Sequence, residues 1–223
     1  MQRLKILGLA LMAVFSLGVV MAASAFAESA LPLWSPLSTA TLKGGTGSLL
    51  LEGKVLGCSS DKGLFGAGTR LGTFDLNFTG CLLENRVCKS LGEALASSEI
   101  LVTGEWHLVS LLANRKHYLL WLLLSPTDTA GAVHIECEAL EKILILVWGN
   151  VLGLINGGGT NYLIAIHRTS GGAQELTEFG NNSVETVKAE LKGKIGKGVT
   201  REAFEEAGEV TLTMATSTTI NET

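Results

Sequence analysis

Proline and charged residues are scarce in this sequence, and each shortage narrows the class of protein. The chain has three prolines and 27 glycines among its 223 residues, and only 17% of its residues are charged. Together with abundant Thr, Val, Leu and Ile, this composition favours β-structure over helix. Intrinsic disorder is not expected, because it requires low hydrophobicity and high charge, whereas 47% of this sequence is hydrophobic.

Clusters of basic residues are also lacking. The segment that comes closest to a basic cluster contains four lysines, Lys188, Lys192, Lys194 and Lys197, and Glu190 lies among them. The net charge is −4, and it becomes −6 without residues 1–27, which hold two of the 17 basic residues and none of the 21 acidic ones. Nucleic acids and anionic membranes bind clustered Lys and Arg. We therefore expect no nucleic-acid partner.

Motifs of the common enzyme classes are missing as well. The sequence has no H-E-x-x-H, G-x-S-x-G, G-x-x-x-x-G-K-[ST] or G-x-G-x-x-G in a plausible context. His134-Ile135-Glu136-Cys137 is similar to the H-x-E element of zinc deaminases, but the P-C-x-x-C partner of that element is absent. The histidines fall on different predicted strands: His107, His117, His134 and His167. We expect no catalytic residue, cofactor or metal ion.

The acidic residues do not predict a site either. Glu136 and Glu138 share one face of a predicted strand, an arrangement that could serve a glycosidase or bind calcium. Glycosidase carboxylates, however, lie on opposite sides of the scissile bond. An aspartate-rich calcium loop is excluded, because only Asp61, Asp75 and Asp128 occur. We interpret the two glutamates as solubilising surface residues.

The first 27 residues have the pattern of a secretory signal peptide. Arg3 and Lys5 precede an apolar run from Ile6 to Met21, and Ala25-Phe26-Ala27 provides an A-x-A cleavage site. The apolar run is shorter than the roughly 20 residues that span a bilayer, and no later run is long enough. The sequence predicts a cleavable helical signal peptide, then a soluble chain without a transmembrane anchor, secreted or held in the cell envelope.

The remainder is predicted to form one all-β domain. Pro32, Pro36 and a glycine cluster mark residues 28–47 as a leader segment, and residues 48–223 form the domain. Short apolar segments recur between turn signals there, and some alternate strictly, as where Phe74, Leu76 and Phe78 oppose Thr73, Asp75 and Asn77. This pattern predicts an antiparallel β-sandwich or barrel of roughly ten strands. Only Thr200–Ala207 is predicted as a short helix.

Two segments depart from the alternation, because residues 119–124 and 143–148 are apolar at every position. Runs of this length are typical of strands that are buried on both faces. One face would contact the main core. The outer face could be covered by the protein itself, which we favour, or by a partner chain or an apolar ligand.

Four cysteines follow the signal peptide, and in an exported protein an even number indicates disulfides. Cys81 and Cys88 flank a polar loop that can bring its ends together, so we predict the pairs Cys81–Cys88 and Cys58–Cys137. Zinc is the alternative, but no C-x-x-C pair occurs, and His134 lies on the strand face opposite to that of Cys137.

The order of these features is itself informative. After the signal peptide come Phe78-Thr79-Gly80-Cys81 with Cys88, Glu136-Cys137, Gly149-Asn150-Val151-Leu152-Gly153-Leu154-Ile155, Phe204-Glu205-Glu206-Ala207-Gly208 and Ile220-Asn221-Glu222. In this order the chain resembles a group of exported β-rich proteins of about 200 residues that some soil actinobacteria encode in many copies. That group has no assigned activity, so the resemblance implies no site residue. Residues 119–124 and 143–148 of this chain are more apolar than the resemblance to that group leads us to expect.

Three functional hypotheses follow from the sequence. The first is a non-enzymatic binding or structural module, extracellular or in the cell envelope, whose partner would be a protein or the envelope itself. The second is a carrier of an apolar small molecule, which would require an enclosed cavity of roughly several hundred Å³. The third is a secreted hydrolase with a site assembled from scattered residues, which would require a cleft that gathers His, Ser and a carboxylate.

Overall fold

The computed structural model describes residues 32–92, 98–111, 114–125, 132–138, 142–166, 178–180, 186–198 and 201–221. Over these residues the chain is all-β, and none of them is helical. The strands are β1 (Leu33–Ser35), β2 (Ser38–Gly44), β3 (Gly47–Leu51), β4 (Lys54–Cys58), β5 (Ser60–Gly68), β6 (Leu71–Thr79), β7 (Leu82–Leu83), β8 (Arg86–Ser90), β9 (Ile100–Leu111), β10 (Asn114–Ser125), β11 (Val133–Cys137), β12 (Ile143–Ile166), β13 (Glu178–Gly180), β14 (Thr186–Lys188), β15 (Leu191–Ile195) and β16 (Arg201–Asn221).

The strands form a closed antiparallel barrel with additional outer strands. Neighbours follow the order β10-β12-β11-β8-β7-β4-β3-β16-β2-β5-β6-β9. The path returns to its start because β9 pairs with β10. Outside this circuit, β13 and β14 extend from β9, β1 pairs with β16, and β15 pairs with both β12 and β16. The predicted all-β sandwich or barrel is confirmed as a barrel.

The predicted number of roughly ten strands is too low, since the described residues form sixteen. Two hairpins have loops of only two residues, Glu52-Gly53 and Glu84-Asn85, and all four of these residues have positive φ. Such loops match the twist of antiparallel strands, but a glutamate in the first position is a weak turn signal. Several strands are also only two or three residues long: β1, β7, β13 and β14.

Part of the predicted leader segment, residues 28–47, forms strands: residues 33–35 are β1 and residues 38–44 are β2, and both pair with β16. β2 pairs with β5 and with β16, and its side chains alternate between buried and exposed from Ser38 to Leu42. The side chain of Trp34 in β1 is 1% exposed, and its ring lies 4.9 Å from that of Trp106. Pro32, Pro36 and the glycine cluster at residues 44–47, which suggested a leader segment, lie at or next to the ends of short strands. The signal-peptide prediction concerns residues outside the described part of the chain.

The predicted helix over Thr200–Ala207 is also wrong, because residues 201–207 form the first third of β16. Thr200 itself lies outside the described residues. Ala203 is paired on one side with Leu51 of β3 and on the other with Leu191 of β15. Hydrogen bonding to two neighbouring strands outweighs the helical preference of this Glu- and Ala-rich segment, since intrinsic propensity is a weak determinant beside tertiary context.

The first apolar run, residues 119–124, lies in β10 between two hydrophobic clusters. Leu120 and Leu122 point into the main core. Leu119 faces the other way, into a smaller buried cluster made of Val109, Leu119, Leu152 and Ala189. Ala189 is held over this face because the N–H of Asn150 donates to the carbonyl oxygen of Glu190. The interpretation that the protein covers this face itself is confirmed for Leu119.

The second run, residues 143–148, is covered only in part on its outer face. Ile145 and Val147 are in the main core, whereas Leu144, on the other face, is 45% exposed. Trp148 is buried, and the ammonium group of Lys194 lies 5.9 Å from the centre of its ring. The prediction of burial on both faces is therefore wrong at Leu144.

All four cysteines form disulfides, as predicted, but the predicted pairs are wrong. The bridges are Cys58–Cys81 and Cys88–Cys137, not Cys81–Cys88 and Cys58–Cys137. The polar loop that suggested a bridge is the short hairpin between β7 and β8. It does bring Cys81 and Cys88 together, because the N–H of Cys88 donates to the carbonyl oxygen of Cys81 at 2.9 Å.

The antiparallel ladder explains which cysteines are joined. The four form a row across neighbouring strands, in the order Cys58, Cys81, Cys88 and Cys137. Hydrogen-bonded pairs in such a ladder have Cα atoms about 5.5 Å apart, and the alternate pairs without hydrogen bonds are about 1 Å closer. Cys81 and Cys88 occupy a hydrogen-bonded position of the ladder, with one bond between them, because the N–H of Cys81 donates to the carbonyl oxygen of Ser98. Both bridges join the closer type, with a Cα–Cα distance of 4.0 Å in each.

Candidate functional site

The barrel contains an apolar cavity of about 80 Å³. Strands β3, β4, β6, β9, β10, β11, β12 and β15 contribute its lining, which includes Phe74, Leu76, Val102, Leu122, Ile135 and Val147. The residues converge because alternate side chains of a strand point to the same face. Ser48 is the one lining residue with a hydroxyl, amide or charged side chain. The cavity therefore suits an apolar group better than water.

The volume of this cavity limits what it can hold. Sites for drug-sized ligands begin at roughly 300 Å³, and an apolar cavity of roughly 150 Å³ in another protein stays dry and binds benzene or xenon. At about 80 Å³, this cavity has room for only a few heavy atoms. It does not reach the several hundred Å³ expected of a carrier for a larger apolar molecule.

A second, open groove of about 650 Å³ lies on β6, β9 and β10. Its polar side chains are those of Thr73, Asp75, Thr103 and Glu105. The register of the sheet brings these four together, because Thr73 lies opposite Glu105 and Asp75 lies opposite Thr103. All four are exposed. The predicted alternation of β6, with Phe74 and Leu76 inside and Thr73 and Asp75 outside, is confirmed and places this groove.

The groove and the cavity are neighbours, since Phe74 and Leu124 line both. The sheet of β6, β9 and β10 separates the groove on its outer face from the cavity on its inner face. In this sheet, Gly104 of β9 lies opposite Phe74 of β6. A Cβ atom at position 104 would lie 2.9 Å from the Phe74 ring and would overlap the carbonyl oxygen of Leu123. Position 104 therefore requires glycine, and the ring of Phe74 fills the space that a side chain would occupy.

The groove is acidic. The carboxylate of Glu105 lies 3.7 Å from Nε2 of His107. Burial lowers the pKa of His107 below its ordinary value, and the charge of Glu105 opposes this effect only in part. His107 is consequently neutral at pH 7, because even an unperturbed histidine is largely deprotonated there. The negative charges of Asp75 and Glu105 thus dominate the groove.

The predicted candidates for hydrolytic or metal chemistry are not brought together among the described residues. His107 lies on β9 and His134 on β11, and these strands do not pair with each other. The side chain of His117 and the whole of His167 lie outside the described part. Within the described residues, no group of three or more His, Cys, Asp and Glu side chains is arranged to hold a metal ion.

Glu136 and Glu138 differ in a way that the strand pattern did not predict. Glu138 is exposed, but Glu136 is only 8% exposed, and its carboxylate accepts an ion pair from Nζ of Lys142 at 2.9 Å. The interpretation of both as solubilising residues is therefore wrong for Glu136. In the sheet it lies between Leu144 on β12 and Lys89 on β8.

Sequence reasoning assigned no role to Asp61, which is the other buried carboxyl group of the described residues. Its side chain is 8% exposed, and Oδ1 has no hydrogen-bond partner among them. The group packs against Gly44, where a Cβ atom would overlap it. Burial raises the pKa of Asp61, and a hydrogen bond from its own backbone opposes this. Its position in β5, on the same face as Phe65, is the sequence signal for burial.

No helix within the described residues is long and apolar enough to cross a membrane. The chain matches no protein-family model, and neither a curated protein nor a solved structure matches it.

Proposed function

We propose that this chain is an exported, non-enzymatic module with a binding or structural role, either extracellular or in the cell envelope. The observation that carries the proposal is the pair of disulfides, Cys58–Cys81 and Cys88–Cys137, which tie four neighbouring strands together. Structural disulfides persist in oxidising compartments and are rare in the cytosol. The signal-peptide pattern of residues 1–27 supports the same compartment.

Two further observations support this function. Within the described residues, no group of three or more His, Cys, Asp and Glu side chains could hold a metal ion. The order of sequence features is similar to that of the exported actinobacterial β-rich proteins, and membership of that group is part of the proposal. A barrel pinned by disulfides is suited to persist outside the cell, because the bridges stabilise the folded state by restricting the unfolded chain.

Expression of the full chain in a secreting bacterial host tests this proposal. We expect a product that begins at Glu28, appears in the medium or the envelope fraction, and yields both disulfide-linked peptide pairs on a non-reducing map. The matched control replaces Ala25 and Ala27 by arginine, which should abolish cleavage while leaving residues 28–223 unchanged. Recovery of the unaltered chain from the cytoplasm with four free thiols would contradict the proposal.

A second candidate function is the binding of a small apolar group, and the cavity inside the barrel specifically favours it. An apolar cavity of this kind gains contacts when a fitting apolar atom enters. Xenon should therefore shift the NMR signals of methyl groups that line the cavity. The variant Val102→Phe, which fills the cavity, should suppress these shifts, and Val102→Leu provides a milder change. Shifts that are equal in the filled and unfilled proteins would rule out this candidate.

A further inference from the structure

We propose that Cys58 is a site of reversible thiol–disulfide exchange, at which a small uncharged thiol opens the Cys58–Cys81 bridge while the Cys88–Cys137 bridge stays closed. The inference goes beyond the proposed function, because it concerns which sulfur atom reacts and not where the protein is located. It rests on the order of the two bridges in the sheet and on the position of Cys58 at the cavity.

The two bridges lie end to end in one row across the sheet, and the two ends of this row differ. From β3 to β12 the row consists of Gly47, Cys58, Cys81, Cys88, Cys137 and Ile143. Because Gly47 has no side chain, β3 places none directly opposite Cys58. At the other end, the side chain of Ile143 lies opposite Cys137 and packs against the main core. The row is therefore shielded at one end only.

The exposure of the cysteines differs in the same direction. Cys81, Cys88 and Cys137 are 0% exposed, whereas Cys58 is partly exposed. Cys58 and Gly47 also line the apolar cavity, and none of the other three cysteines does. Access for a small reagent is thus greatest at Cys58, and a reagent in the cavity meets this sulfur atom first.

The chemistry of exchange makes the glycine end the reactive one. A thiolate attacks one sulfur atom of a disulfide, and the other sulfur leaves as a thiolate. The attack is in line with the S–S bond, so the nucleophile reaches Cys58 from the side away from Cys81, which is the side of Gly47. A bond forms between the incoming sulfur and Sγ of Cys58, and the electron pair of the broken bond goes to Sγ of Cys81, which takes a proton from water. Return attack by Cys81 expels the thiol and re-forms the bridge.

The same requirement protects the second bridge. In-line attack on Cys137 has to come from the side of Ile143. In-line attack on Cys88 has to come from the side of Cys81, where the first bridge lies. The thiol of Cys81 that the exchange releases faces Cys88 at the wider, hydrogen-bonded position of the ladder. We therefore expect Cys88–Cys137 to persist after the first bridge opens.

The cavity determines the kind of thiol. Its lining is apolar apart from the hydroxyl group of Ser48, and its volume is about 80 Å³. The substituent of a thiol bound to Cys58 lies at this space, where an ionised group would lose its hydration without compensation. The volume is close to that of two or three liquid water molecules, at roughly 30 Å³ each. A neutral substituent of two or three heavy atoms therefore fits best.

Exchange in the folded, disulfide-bonded protein tests the inference. The protein is treated with 2-mercaptoethanol, quenched in acid, denatured, alkylated and mapped without reduction. We expect the mercaptoethanol adduct on Cys58 and a free thiol on Cys81, and the first bridge should open at least about tenfold faster than the second. The rate should rise in proportion to the thiol concentration. The anionic thiol 2-mercaptoethanesulfonate should react at least about threefold more slowly, after correction for its rate with a small disulfide.

Substitutions test the two ends of the row. Gly47→Val places a side chain opposite Cys58 and should slow the opening of the first bridge about tenfold. Ile143→Ala removes the cover of Cys137 and should speed the opening of the second bridge, still in proportion to the thiol concentration. Gly45→Ala is the matched control, because a Cβ atom there has no neighbour within 4 Å, and it should change neither rate.

Each outcome decides a claim. An adduct on Cys58 with Cys88–Cys137 intact supports the inference, and this result stands even where Gly47→Val does not fold. An adduct on Cys81 overturns it. Loss of both bridges together, at a rate independent of thiol concentration, also overturns it, because the bridges then open only through unfolding. Equal corrected rates for the two thiols overturn the preference for an uncharged thiol. The location of the exported chain and the response to xenon are measured separately, so failure of either proposed function is distinguishable from these results.

Discussion

Asp61 places a carboxyl group inside the barrel wall, where its neighbours across the sheet are Phe78 and Gly44. Gly44 is the residue that makes room for it, because any side chain there would overlap the carboxyl group. Oδ1 lacks a hydrogen-bond donor among the described residues. A buried acceptor without a partner loses its hydration without compensation, so the charged form of Asp61 opposes folding.

The first prediction concerns pH. Because burial raises the folded-state pKa of Asp61 above its ordinary value of 3.8, the fold favours the protonated side chain. The resulting stability is fully present below the unfolded-state pKa and is lost as the pH rises through the folded-state pKa. Asp61→Asn removes the charge, so it should raise the Tm at pH 7 by about 2–4 °C, which corresponds to about 1 kcal/mol.

Thermal unfolding from pH 3 to pH 8 measures this effect. The difference in Tm between Asp61→Asn and the unaltered protein should shrink toward pH 3 and be constant near pH 7. Asp75→Asn, on the exposed face of β6, is the control and should change the Tm little at any pH. A lower Tm for Asp61→Asn at pH 7 would show that the carboxylate is stabilised in the fold.

At the scale of strands, the sequence predicts most reliably what depends on local alternation. The inward face of β6, with Phe74 and Leu76, follows from its period of two, and so does the polar face that lines the groove. The covered outer face of Leu119 follows from an unbroken apolar run. What the sequence misses depends on partners far along the chain. Residues 201–207 have a helix-forming composition, and only pairing with β3 and β15 makes them a strand.

The strand β1 provides the second prediction, because it contributes a core residue although it lies before residue 48. The ring of Trp34 lies among Trp106 and Tyr162 and is almost completely buried. Trp34→Ala should therefore lower the free energy of unfolding by about 3–5 kcal/mol. Leu37→Ala is the control, since Leu37 is 58% exposed and its loss should cost less than about 0.5 kcal/mol. Urea denaturation measures both, and equal effects would mean that β1 only lies on the surface.

The third prediction uses the row of cysteines. In Cys137→Ser, the thiol of Cys88 is left beside the Cys58–Cys81 bridge. We expect that bridge to persist, because Cys81 and Cys88 occupy a hydrogen-bonded position and face each other at the wider spacing of the ladder. Loss of the second bridge should cost about 2–5 kcal/mol of stability.

A non-reducing peptide map of Cys137→Ser, quenched in acid and alkylated after denaturation, gives the answer. The expected result is a linked pair of peptides that contain Cys58 and Cys81, with Cys88 alkylated. Cys58→Ser is the matched variant, in which Cys88–Cys137 should persist and Cys81 should be alkylated. A peptide pair that links Cys81 with Cys88 in either variant would contradict the argument from the ladder.

At the scale of the whole molecule, strands from the two ends of the described chain pair with each other and help to close the barrel. β16 pairs with five others, namely β1, β2, β3, β12 and β15. The pairing of Leu33 with Asn221 brings the first described strand beside the last. Local patterns could predict that these strands exist and that they are antiparallel. They could not predict which strands are neighbours, because closure depends on pairings between distant segments, whose formation is opposed by chain entropy.

The last prediction follows from this closure. Removal of residues 208–223 deletes the part of β16 that lies between β2 and β12, where Leu212 is paired with Leu42 on one side and with Tyr162 on the other. It also exposes Tyr162, which is buried and donates its hydroxyl to the carbonyl oxygen of Thr218. The barrel then has two open edges and a core open to water, so the shortened chain should lose cooperative thermal unfolding.

Circular dichroism of the refolded protein measures this loss of cooperativity. As a control, removal of residues 222 and 223 alone should leave the Tm within about 2 °C of that of the full chain. A cooperative transition in the shorter chain would mean that the remaining strands close without β16, and that the pairing between the two ends contributes little to the stability of the barrel.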